Sequence, residues 1–384
     1  MNKKLIGLLL FIGLIFAGCS TEDYFGQLSD KELIQFQLEE QLGNSKMIED
    51  TIYITVSEDA YLFNISNLSA SRIKVSDYAT VSPEVGEKQD FSQPVVYTVT
   101  AEDGSTREYY VIVQRGGSNS NLQLPNSSFE FWHDADYGDT EYIEIGVDKD
   151  NKTWATGNQG AAFAIALGAN ADLPSLPYQR SNGENAAELA TQNMGALAAA
   201  FGGKGVAAGN LFAGRFEIGT VTNAHPVFGT PYTQKPIGFK VDYKYSPADG
   251  LMDGKLKAVD GEDAMDMYLI LEKRDGAEVK RLGVGWYRSG EEQTDWKTQE
   301  VDIKYARNGQ APEGVEEYAK HVLKYGHDGD TSAKEPSDMP EATWGDISDK
   351  PTHILVVFTS SYLGDYFIGA PGSKLVVDNF ELLY

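Results

Sequence analysis

Apolar residues recur at every second position in short runs between Lys31 and Gln114. The runs are Ile52-Tyr53-Ile54-Thr55-Val56, Ile73-Lys74-Val75, Val95-Val96-Tyr97-Thr98-Val99-Thr100 and Tyr109-Tyr110-Val111-Ile112-Val113. A period of two sends alternate side chains to opposite faces of a strand, so this unit reads as a small β-sandwich. Between its last two strands, Asp103-Gly104 marks a hairpin turn, because glycine accepts the positive φ that such turns require. The stretch Arg115-Gly116-Gly117-Ser118-Asn119-Ser120-Asn121 has too little apolar surface to order itself and reads as a linker. Beyond it, Met267–Glu272, Trp296–Ile303 and His353–Phe358 read as further strands, and Asp275-Gly276 as a second hairpin turn. Glu313–Lys320 has the pattern of a short surface helix, and Asp328–Ser348, rich in Asp, Pro, Ser and Gly, that of a long loop. The chain is expected to be all-β, with one domain over residues 31–114, a linker over 115–121 and a larger domain over 122–384.

The first residues follow a different pattern. Lys3 and Lys4 precede an uninterrupted apolar stretch from Leu5 to Phe16, which ends in the small pair Ala17-Gly18 before Cys19. A membrane-spanning helix needs about 20 apolar residues, so residues 1–18 read as a lipoprotein signal peptide, with Cys19 as the lipidation site and residues 19–30 as a tether. Cys19 is the only cysteine of the 384 residues, so folding rests on burial and not on disulfides. Ser20-Thr21-Glu22-Asp23 resembles the signal that exports Bacteroidetes lipoproteins to the outer face of the outer membrane; an ordinary acidic tether facing the periplasm is the alternative. Removing residues 1–18, which hold two lysines and no acid, takes the formal net charge from −25 to −27. Phosphate neutralisation requires clustered Lys and Arg, and none occurs, so nucleic acid and anionic polymers are poor candidates as partners, and no nucleic-acid partner is expected. Membrane contact is expected through the lipid anchor alone.

Family resemblances extend this reading. Val81-Ser82-Pro83, Asp90-Phe91-Ser92-Gln93-Pro94 and the run Tyr97 to Ser105 resemble the immunoglobulin-like or cadherin-like spacer domains of Bacteroidetes surface lipoproteins. The larger unit opens with Asn126-Ser127-Ser128-Phe129-Glu130-Phe131-Trp132 and closes with Leu375-Val376-Val377-Asp378-Asn379-Phe380. These ends, with Thr153-Trp154-Ala155-Thr156, the run Ala207 to Gly214, Lys235-Pro236-Ile237-Gly238-Phe239, Tyr243 to Pro247, Phe358-Thr359-Ser360-Ser361 and Gly369 to Ser373, resemble the carbohydrate metabolism domain family PCMD. That resemblance implies a galactose-binding-like jelly-roll sandwich. It also implies a strand over Ala186–Thr191 in the Ala- and Leu-rich segment 186–201, followed by a flexible connection that Gly195, Gly202, Gly203 and Gly205 interrupt or follow.

Jelly rolls of this kind often hold a structural calcium between an acid near the first strand and one in the last, and Glu130 and Asp378 occupy those positions. No cofactor is otherwise required. Sugar binding uses an aromatic face plus polar side chains. All five tryptophans lie in the larger unit. Trp132 and Trp296, flanked by strand patterns, read as core. Trp344 and Tyr178, in polar or proline-containing stretches, and Trp154 are candidate carbohydrate-binding residues, with Arg180 and Asp346 as the nearby polar groups. Catalytic residues are not assigned: no His-Glu-x-x-His or Gly-x-Ser-x-Gly pattern occurs, and the acids are too many to single out a glycosidase pair. The expectation is a carbohydrate-binding surface lipoprotein that works with other glycan-utilisation proteins. A glycoside hydrolase using a carboxylate pair and a non-catalytic adhesin or structural protein are the alternatives.

Overall fold

The computed structural model describes residues 26–56, 60–115, 123–150, 153–200, 203–218, 224–276, 278–315 and 342–384. The expected signal peptide, Cys19, most of the linker, residues 316–320 of the expected helix and residues 328–341 of the expected loop lie outside them; Glu313 and Gly314 form a turn.

The first domain packs two sheets against each other. One comprises Leu33–Leu38, Leu68–Val75 and Lys88–Gln89; the other orders Gln41–Ile48, Thr51–Val56, Thr106–Arg115, Val95–Thr100 and Thr80–Ser82. All pairings are antiparallel except Thr51–Val56 with Thr106–Arg115. The alternation expected from sequence sends Ile52, Ile54, Tyr97, Val99, Tyr109 and Val111 into the core with Phe36 and Leu68. The Asp103-Gly104 turn forms as expected, with Gly104 at φ 83° and its amide donating to Ala101 O at 3.0 Å.

Thr51–Val56 is buried on both faces, which a strand of a free-standing sandwich would not be. Its other face meets the second domain. Tyr53 and Ile112 belong to the same buried cluster as Tyr305, and Gln114 Nε2 donates to Lys235 O at 2.9 Å. Around this apolar contact, Lys46 pairs with Asp302 at 2.6 Å and Glu300 at 3.1 Å, Lys304 pairs with Glu49 at 3.0 Å, and the Arg307 guanidinium lies 4.4 Å from the Tyr110 ring centre.

The second domain is a sandwich of a larger sheet built on Trp154–Thr156, Asn210–Ile218, His353–Thr359, Met265–Asp275, Glu278–Ser289 and Lys304–Tyr305, facing a five-stranded sheet. Between them lie Phe129, Trp154, Leu211, Phe239, Leu269, Phe358, Val377 and Phe380. The two ends of the domain lie side by side: Leu382 N donates to Gln123 Oε1 at 2.7 Å and Phe380 N to Ser127 O at 2.9 Å. Segment 186–201 is strand over Asn185–Ala190 but then turns into a short helix, Gly195–Ala200, where a connection was expected. Its run of alanines and one leucine carries the helix preference that the flanking glycines obscure. A second helix, Asn158–Ala166, was not anticipated. Asn158 fixes its start by donating to Ile143 O at 2.7 Å and Ser175 O at 2.6 Å.

Candidate functional site

The five-stranded sheet runs in the order Ser175–Gln179, Asn185–Ala190, Lys374–Leu383, Gly238–Ser246, Gln293–Asp302, all antiparallel. Ala187, Leu189, Leu375, Val377, Tyr243 and Tyr245 face the core. Strand alternation therefore points their neighbours outward. One outward row pairs Leu176 with Glu188, Glu188 with Val376 and Val376 with Lys244; the next pairs Tyr178 with Ala186, and Asp378 with Asp242, which in turn pairs with Thr298.

The last strand keeps its alternation only by means of a bulge. Val377 faces in and Asp378 out; Asn379, at φ 51°, is the extra residue; Phe380 then faces in and Glu381 out. Asparagine tolerates this left-handed conformation better than most residues. Its Nδ2 donates to Asp242 Oδ2 at 3.1 Å and reaches Asp378 Oδ2 at 3.4 Å. Thr298 Oγ1 donates to the other Asp242 oxygen.

Ala186, Val376 and Asp378 face away from the core, yet their exposures are 0%, 4% and 2%. Side chains from the two edge strands lie over them. Tyr178 and Trp296 meet edge to face with ring centres 6.3 Å apart. The Arg180 guanidinium stacks 4.2 Å from the Trp296 ring centre while its Nη1 pairs with Asp378 Oδ2, and Lys244 Nζ lies 5.5 Å from the same ring. Edge strands of a flat five-stranded sheet stand about 19 Å apart, so rings carried on them can touch only over a concave face. Burial pushes the Asp378 carboxyl above its ordinary pKa, and the Arg180 pair opposes that shift without cancelling it. Next to this face opens a cleft of about 830 Å³, lined by Asn170, Asp172, Leu176, Glu188, Gln192 and Lys374. Leu176 and Glu188 belong to the same outward face, and Lys374 pairs with Glu188 at 2.9 Å, so cleft and concave face are continuous.

Of the residues expected from sequence, the structure brings together Tyr178, Arg180 and Asp378. Trp154 is corrected: it is 2% exposed, wedged against Phe129 and Phe380, with Nε1 donating to Pro125 O at 2.7 Å, so it has no face to offer a ligand. Trp344 lies elsewhere. Its segment pairs with the strand Glu278–Ser289 through Arg281 N to Thr343 O at 2.8 Å and Gly345 N to Arg281 O at 2.9 Å, and its ring packs on a separate apolar cluster that includes Val284 and Leu355. Asp346 holds that turn by accepting from Asn308 N at 2.8 Å and Ser348 N at 2.9 Å. Against burial, the Ser348 hydroxyl donating at 2.6 Å, together with these amides, keeps its carboxyl below the ordinary range.

Trp296, expected in the core, is a partly exposed member of the outward face. The signal was in its alternation partners: Thr294, Thr298 and Glu300 share its face and none is apolar. Trp132 is partly buried and packs against the core cluster. Glu130 accepts from Asn185 N at 3.0 Å, and Asp378 is engaged by Arg180. Among the described residues no group of three or more His, Cys, Asp or Glu side chains converges as a metal site. Two carboxylates already bound by protein donors, one of them against a guanidinium, do not fit a calcium ion, which requires six to eight oxygens.

The family model described as "Putative carbohydrate metabolism domain" matches residues 128–383. This chain belongs to that family. Residues 33–113 match a second model, "SGBP, N-terminal", so the carbohydrate metabolism domain is preceded by a β-rich domain of that kind. Among solved structures, the chain is similar to a Bacteroides thetaiotaomicron protein titled a "putative glycoside hydrolase", at 23% identity over 94% of this chain and 98% of that one, with a TM-score of 0.48. A Bacteroides vulgatus protein of the same description is similar at 23% identity over 67% and 96%, with a TM-score of 0.48. A family 11 carbohydrate-binding module of Clostridium thermocellum is similar at 13% identity over 62% and 94%, with a TM-score of 0.25. No curated protein matches.

Proposed function

We propose that this protein binds an uncharged carbohydrate chain along the concave face of the five-stranded sheet and in the adjoining cleft. The observation that carries this reading is the meeting of Tyr178 and Trp296, with Arg180, above buried Asp378. Aromatic rings supply the apolar platform that the C–H face of a pyranose packs on. Asp242, Glu188 and Asp172 offer acceptors to its hydroxyl groups, and Asn170 and Gln192 offer both donors and acceptors. The negative net charge disfavours acidic polymers. Membership of a carbohydrate metabolism family agrees with this reading. The proposal extends to location: Cys19 carries the lipid that holds the protein on the outer face of the outer membrane, where it works beside other glycan-utilisation proteins. Labelling with a fatty-acid probe should be lost in Cys19→Ala, and externally added protease should digest the protein on intact cells.

A glycan array probed with the chain starting near Phe25 tests the binding reading. Selective binding that Trp296→Ala and Tyr178→Ala weaken, and Trp344→Ala does not, supports it; no binding to any glycan overturns it.

One observation favours glycoside hydrolysis as a second reading: the Asp242 and Asp378 carboxylates lie close enough to share the Asn379 amide, and one is shifted toward the protonated form. Release of reducing sugar that Asp242→Asn abolishes would establish it. Binding without release, and with Asp242→Asn altering affinity only, would exclude it.

A further inference from the structure

A second cavity of about 180 Å³ lies between the helices Asn158–Ala166 and Gly195–Ala200 and the strand Asn210–Ile218, separated from the cleft by Pro174. Its walls include Phe163, Leu167, Met194, Leu197, Phe216 and Phe367. The helix Asn158–Ala166 sits close on the strand Asn210–Ile218 because Gly160 is small; a Cβ added there would stand 2.8 Å from the Phe216 ring. Leu167 and Leu197 lie at the rim, 54% and 41% exposed, and extend the apolar wall to the mouth of the cavity. A dry cavity of roughly 150 Å³ suffices to admit a benzene ring.

One wall is not apolar. Lys204 lines the cavity with its Nζ 5.5 Å from the Phe367 ring centre, and it forms no ion pair with any described residue. Asp365 is the carboxylate among the described wall residues, and no charge contribution from it reaches Lys204. Burial alone lowers the Lys204 pKa, as expected of an ammonium with no counter-ion among the described residues. An apolar body fits the walls, and an anion satisfies the ammonium.

We propose that this cavity is a second binding site, for a small apolar carboxylate whose ring or branched alkyl group fills the pocket and whose carboxylate pairs with Lys204. It is independent of the concave face and does not rest on the carbohydrate reading. The test titrates the protein with benzoate and, as a neutral probe of similar shape, benzyl alcohol, by calorimetry and ligand-observed NMR. Two variants are compared: Lys204→Met, which keeps the cavity and removes the charge, and Ala164→Phe, which fills it. Circular dichroism verifies that both fold. The expected result is saturable benzoate binding that Lys204→Met weakens about tenfold or more, the range of a charge-assisted contact. Benzyl alcohol should bind wild type and Lys204→Met equally, and Ala164→Phe should bind neither probe if folded. Absence of saturable benzoate binding, or benzoate binding unchanged in Lys204→Met, overturns the proposal whether or not Ala164→Phe folds.

Discussion

Arg180 has two tasks that can be separated by experiment. Its guanidinium neutralises Asp378, which is 2% exposed, and its plane covers one side of Trp296. Removing one partner of a buried pair leaves an uncompensated charge and costs about 3–5 kcal/mol. Arg180→Ala should therefore be destabilised at neutral pH. Burial already raises the Asp378 pKa, and without Arg180 it should rise further. A raised carboxyl favours folding while protonated and loses that contribution as pH rises through the folded pKa, so urea melts should show a smaller deficit for the variant in acid than at neutrality. Glu144 gives a simpler case. Burial raises its carboxyl from 4.5 to about 7, against hydrogen bonds from Ile145 and Thr156 that favour the charged form. Stability contributed by this group is full below its unfolded pKa and is lost as pH climbs from about 4.5 to 7, an effect on the order of 3 kcal/mol at most. Glu144→Gln keeps an acceptor for those bonds and should flatten the melting temperature across that window; an unchanged slope would show that another group titrates there.

Strand pattern explains much of what sequence reveals about the elements. Where one face is apolar and the other polar, as in Val95–Thr100, the alternation was legible. So was Asp103-Gly104, because the turn requires what glycine supplies. Thr51–Val56 was legible as a strand, but its burial on both faces depends on a partner domain that local sequence does not encode. Trp296 was misjudged because a large aromatic in a strand usually packs inward; its polar neighbours at two-residue spacing held the better information. Tyr178, Arg180 and Asp378 could be named from sequence, but their convergence depends on sheet order and curvature, which no motif records. The bulge at Asn379 is the element-level feature that aims Asp378 outward and Phe380 inward. A β-branched residue at φ 51° is strained by about 1–3 kcal/mol. Asn379→Val should therefore lower stability by that amount and Asn379→Gly by less, as read from denaturant midpoints.

At the scale of the molecule, the two domains share an interface and are not simply strung on a linker. Tyr53 is 3% exposed and lies with Ile112 and Tyr305 in one cluster, ringed by the ion pairs of Lys46, Lys304 and Arg307. Truncating a buried aromatic costs about 3–5 kcal/mol. Tyr53→Ala should weaken docking as well as lower stability, turning one calorimetric transition into two; a single transition at a lower temperature would mean that the domains remain coupled without it. A docked first domain fixes the orientation of the concave face relative to itself, so the proposed glycan-binding face is held in one position and not swung on a loose linker. The most direct measurement of that role is a calorimetric titration of the best array glycan into wild type, Trp296→Ala, Tyr178→Ala and Trp344→Ala. The account predicts at least about a tenfold loss of affinity in the first two variants, equivalent to about 1.4 kcal/mol, with Trp344→Ala unchanged; equal affinity in all four proteins would contradict it.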